Sequence, residues 1–95
     1  MRRLVFSQRA QLDLEAIGDY IARDNPTRAV TFLEELRAHC DRIVTTPAAY
    51  PAREDLASGI RMAVHGRYLI FFRVGAAQVR IERILHSARR PPRSM

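Results

Sequence analysis

GIRMAVHGRYLIFFRVGAAQVRIERIL, residues 59–85, is the stretch that decides the fold. Its period is two: Ile60, Met62 and Val64 alternate with Arg61, Ala63 and His65, as in a strand with one buried face. Gly66 supplies a turn. The run from Tyr68 to Val74 is nearly all apolar, which predicts a central strand covered on both faces, or on one face plus a partner. Gly75-Ala76-Ala77 makes a tight hairpin into a last strand over residues 79–85. Three strands joined by short turns form an antiparallel meander. One residue is out of step: Arg83 falls in phase with Val79, Ile81 and Leu85, so either a bulge rotates it outward or it is partly buried and paired with an acid.

Upstream of the meander the period is helical. Ala10, Leu14, Ile17 and Ile21 form one apolar stripe on a helix that Ser7 caps and that runs to about Arg23. Asp13, Glu15, Asp19 and Arg23 lie off the stripe and read as a solvated face. Asn25-Pro26 opens a second helix, with Asn25 as cap and Pro26 where its missing N–H costs nothing. Ala29, Leu33, Leu36, Cys40 and Ile43 stripe it to about Thr46, where Pro47 and Pro51 end it. Residues 47–59 read as an irregular loop with at most a short turn, and residues 4–6 as a short opening strand. The expected fold class is α+β: an N-terminal strand and a helical hairpin packed on a C-terminal antiparallel meander. Residues 1–89 form one domain, and residues 90–95 a basic, proline-containing mobile tail.

Ninety-five residues hold one core, without room for a deep cofactor pocket. The chain has sixteen arginines, no lysine and a formal net charge of +6. Residues 1–55 carry eight Arg against nine acids; residues 56–95 carry eight Arg against Glu82 alone. The cationic second half suggests an acidic partner, a protein segment or a nucleic acid; the alternative for the all-arginine choice is a bias of composition. A single cysteine, an apolar run at residues 4–6 too short for a signal peptide and no span long enough for a bilayer give a soluble, cytoplasmic protein as the expectation.

Much chemistry is excluded. His39 and Cys40 are adjacent on a helix and point about 100° apart, so no metal site is expected. The glycines are isolated, so no P-loop or dinucleotide fingerprint exists, and no cofactor is expected. Cys40, on an apolar stripe, reads as a small core residue. What remains is a set of cations on the sheet. Arg61, Arg73 and Arg83 with His86 can hold phosphate or act on a phosphoryl centre; the alternative is that the arginines pair with Glu54, Asp55 or Glu82.

A longer pattern resembles a known family. Ser7, Ala10, Asp13-Leu14, Ile17, Tyr20-Ile21-Ala22, Asp24-Asn25-Pro26, Ala29, Phe32, Gly59-Ile60-Arg61, Tyr68 to Val74, and Ile81-x-Arg83-Ile84-Leu85-His86-x-Ala88-Arg89 are similar, in order and spacing, to the ParE branch of the RelE/ParE toxin superfamily. The resemblance implies a toxin of a type II toxin–antitoxin system that traps DNA gyrase on cleaved DNA without catalysis of its own. It also implies a hetero-oligomer with a ParD-like antitoxin, whose flexible segment folds around the toxin. Relatives of the RelE branch instead cut mRNA in the ribosomal A site without a metal, with basic residues and often a tyrosine or histidine near the C-terminus; after His86 this chain reads Ser87-Ala88-Arg89-Arg90-Pro91-Pro92, with no tyrosine, which favours ParE. Target-facing candidates are Arg61, Arg73, Arg83 and His86; antitoxin-facing candidates are Tyr68, Phe71, Arg67 and Arg80, with burial in the core as the alternative, and the stronger one, for the aromatics Tyr68 and Phe71. Arg61→Ala or Arg83→Ala is expected to lower toxicity while the fold survives.

Overall fold

The computed structural model describes residues 2–88 and Pro91; the tail expected over residues 90–95 lies, Pro91 apart, outside the described residues. The elements are β1 (Arg3–Phe6), α1 (Gln8–Ala22), α2 (Pro26–Thr45), a 3-10 turn (Pro47–Ala49), β2 (Ile60–His65), β3 (Tyr68–Val74) and β4 (Gln78–His86). Both helices start where their caps stand. The Ser7 hydroxyl accepts from the Ala10 N–H and the Asn25 side chain from the Arg28 N–H.

The sheet order is β1-β4-β3-β2. The meander is antiparallel, as expected, but β1 pairs with β4 in parallel, from Arg3 opposite Gln78 to Phe6 opposite Ile81, so the sheet is mixed. A parallel neighbour needs a long crossover, and the helical hairpin with the first two meander strands supplies it.

The helices cover one face. Ala10, Ile17, Leu36, Cys40 and Ile43 pack on Ala63, Ile70, Phe72, Val79, Ile81 and Ile84. Gly18 permits the close helix approach: a Cβ there would stand 2.9 Å from Leu33 Cδ1. The other face has a small core of its own, Ile60, Phe71 and Leu85, roofed by Leu56 and Ala57 of the loop before β2. That loop is less irregular than its sequence suggests. Ala52 bridges Arg61, the Arg53 N–H donates to Ile60 O, and the Met62 N–H to Pro51 O, so it pairs along the first half of β2. β2 therefore turns its apolar side, Ile60 and Met62, away from the helices and presents Ala63 to them.

β4 carries the bulge that the phase of Arg83 raised. Ile81 pairs with Phe72 and Arg83 with Phe71, so Glu82 is an extra residue. The alternation resets across it: Val79 and Ile81 face the helices before the bulge, Ile84 after it. Arg83 is thereby removed from the core stripe.

Candidate functional site

β1 ends at Phe6, so the second half of β4 has no strand on that side. Side chains of the following segment take the strand's place. The Ser7 hydroxyl donates to Glu82 O at 2.7 Å, and Asp13 Oδ2 accepts the Ile84 N–H at 2.9 Å. Asp13 also accepts from Arg83 through both oxygens, at 2.9 and 3.1 Å. Both side chains are largely shielded, at 13% and 21% exposed, and the carboxylate pushes the Arg83 pKa further up. Asp13 is thus not part of a solvated face. Helical periodicity places it off the stripe, but α1 crosses an unpaired strand edge there, and an edge N–H needs an acceptor.

Beyond this clamp a groove of about 550 Å³ opens between α1 and the ends of β3 and β4. Asp13, Ile17, Tyr20, Arg23, Tyr68 and His86 are among its lining residues. The Tyr68 and His86 rings meet edge to face, 5.3 Å between centroids, and His86 Nδ1 accepts the Ala88 N–H. Tyr20 is 65% exposed at the rim.

The four target-facing candidates do not converge. His86 lies opposite Tyr68 at one end of β3, and Arg73 opposite Ile60 near the other, about 17 Å apart along the strand. Arg73 and Arg80 both pair with Glu82, the lone acid of the second half, so this part of the structural alternative holds. Arg83 is held by Asp13, a partner that the sequence did not single out. Arg61 donates to Tyr50 O at 2.6 Å. Of the antitoxin-facing candidates, Tyr68 lines the groove, Arg67 is exposed at the β2–β3 turn and Arg80 is exposed beside Glu82. Phe71 is 0% exposed in the small core, so for it the core alternative holds and the contact role is corrected: the loop that covers it contributes Leu56 and Ala57, which no strand or helix period marks.

A histidine pair was missed. His39 on α2 and His65 at the end of β2 bring their Nδ1 atoms to 2.9 Å, with Tyr50 Oη 3.3 Å from His39 Nε2 and Phe32 against His65. One Nδ1–H donates and the other accepts, so the contact is complete with both rings neutral. Burial lowers both pKa values first; His65 and Arg42 lower that of His39 further, while Glu35 opposes and Arg42 and Arg28 reinforce the drop at His65. The two residues stand 26 apart in sequence, and only the packing of α2 on β2 joins them. Cys40 is buried and its thiol is pushed up to about 12, which leaves it protonated and unreactive. No group of three or more metal-ligating side chains occurs among the described residues, and no helix among them is long and apolar enough to cross a membrane.

Known proteins are similar to this chain in sequence and in architecture. Toxin ParE1 of Caulobacter vibrioides is 33% identical over 93% of this chain and 92% of its own length. Toxin RelE2 of the same organism is 35% identical over 94% and 99%. A solved structure of the chromosomal ParDE toxin–antitoxin system from P. aeruginosa superposes with a TM-score of 0.78, covering 90% of this chain and 96% of that one at 22% identity, which shows the fold. Residues 4–91 match the family model for the ParE toxin of the type II toxin–antitoxin system parDE. With mixed sheet, helical hairpin and nearly the whole length in agreement, the chain belongs to the ParE toxin family, within the RelE/ParE superfamily of type II toxins.

Proposed function

We propose that this toxin arrests growth by acting on DNA gyrase and that a ParD-like antitoxin neutralises it. The observation that carries the reading is the match to the ParE model over residues 4–91, because gyrase is the target that the ParE resemblance implies. The dispersal of Arg61, Arg73, Arg83 and His86 over separate parts of the sheet, three of them engaged by carboxylates or a carbonyl, supports a toxin that binds its target without a catalytic cluster of these four. The ParDE system whose structure is similar supports an antitoxin as partner. The α1 groove and the cationic second half suit an acidic segment that orders on binding, with Tyr68, Arg67 and Arg80 as contacts.

A second reading, a metal-independent mRNA endonuclease, draws on His86, a titratable ring beside Tyr68 in a groove that also holds Tyr20 and Arg23. The relative named RelE2 points the same way. Purified toxin separates the two. Stabilised gyrase–DNA cleavage complexes and lost supercoiling are expected; unchanged gyrase with A-site cleavage on programmed ribosomes overturns the first reading in favour of the second.

A further inference from the structure

At the end of the sheet away from Gly66, the start of β1, the end of β3 and the C-terminus of α2 enclose a second cleft, of about 500 Å³. Arg2, Thr45, Thr46, Arg61 and Val74 line it together with residues 47–49. Among the described residues its lining holds two guanidinium groups and no carboxylate. Each guanidinium is anchored by a backbone carbonyl: Arg2 Nε donates to Gly75 O at 2.8 Å and Arg61 Nη1 to Tyr50 O at 2.6 Å. A guanidinium has five N–H donors, so one such bond orients the fork and leaves donors for a ligand.

Arg61 differs from its neighbours. Arg73, Arg80 and Arg83 on the same sheet each have a carboxylate within 3.2 Å. Arg61 is half-buried, and its hydrogen bond goes to a neutral acceptor. No described carboxylate pairs with it; partial desolvation of a cation without a counter-charge is costly, and an anion entering the cleft offsets it. The carbonyl end of α2 contributes about half a negative charge to the wall, against two full positive charges. We propose that this cleft binds a phosphate group. A forked guanidinium matches phosphate oxygens in pairs, and the hydroxyl of Thr46 adds a polar contact at the rim. The phosphate comes from a free nucleotide or from a nucleic-acid strand, and the proposal holds whichever target the toxin has.

The test is an amide-resolved NMR titration of the full chain at low salt with inorganic phosphate, adenosine monophosphate and a short single-stranded oligonucleotide. Saturable shifts clustered at Arg61, Val74, Ala48 and Ala49 are expected, with binding weakened about tenfold in Arg61→Gln. Equal binding of the monophosphate and the oligonucleotide identifies a free phosphate as the ligand; tighter, Arg61-dependent binding of the oligonucleotide identifies a strand. Arg2 is exposed, so Arg2→Ala reads out the cleft even if Arg61→Gln fails to fold. Shifts elsewhere, no saturable shift, or wild-type affinity in the folded variants overturns the proposal.

Discussion

Asp13 does three things at once: it accepts both forks of Arg83 and the Ile84 N–H, and it borders the α1 groove. Removing it strands a shielded cation and an edge N–H together. Asp13→Ala is therefore expected to cost about 2–3 kcal/mol, seen as a melting temperature lowered by roughly 10–20 °C. Asp13→Asn, which keeps an acceptor for Ile84, should lose less. The same pair changes the meaning of Arg83→Ala: any loss of toxicity arrives with a loss of stability, whereas Arg61→Ala breaks no ion pair and gives up one hydrogen bond, to Tyr50 O. At the histidine pair the sign of the pH dependence follows from both pKa values being lowered. The unfolded chain takes up protons first as pH falls, so this stabilisation is complete above about 6.5 and declines below it until the folded-state values are reached. Urea midpoints measured across that window should fall with pH, and His65→Gln should flatten the profile; an unchanged slope would exclude the pair as its source.

Among the elements, β4 was legible except where it matters most for the site. Its apolar alternation is plain in Val79 and Ile81, and the misfit of Arg83 announces either a bulge or a pair. The structure has both, and the bulge places the extra residue, Glu82, between Arg73 and Arg80. Ser7 could be read as a helix cap from its position, but its second bond, to Glu82 O across 75 residues, could not. Ser7→Ala should thus exceed an ordinary cap deletion, by about 1 kcal/mol for the extra lost hydrogen bond, and chemical denaturation against Asn25→Ala provides the comparison. The small outer core makes a different point. Phe71→Ala is expected to cost about 3–5 kcal/mol as a core truncation. If it also abolishes antitoxin binding, near-ultraviolet circular dichroism should show the packing lost in parallel.

For the molecule as a whole, charge and architecture belong to different sources. The excess of arginine after residue 55 is a property of composition, and it predicts that antitoxin association slows as salt rises, by the screening of long-range attraction. Stopped-flow rates at low and high ionic strength check this; a salt-independent rate would mean that the basic half does not steer the encounter. By itself the sequence determined the helical hairpin, the three-strand meander, both helix caps and the toxin superfamily, because periodicity, capping and turn chemistry act over a few residues, and the family pattern is a matter of order and spacing. Only the tertiary structure decided the parallel docking of β1 on β4, the Asp13–Arg83 clamp, the His39–His65 contact, the burial of Phe71 and the meeting of Arg2 with Arg61 in one cleft. Each of these joins residues far apart in the chain, and their partners are chosen by which strand edge is left open, which face is roofed and which groups must be satisfied on burial; local sequence carries no record of those conditions.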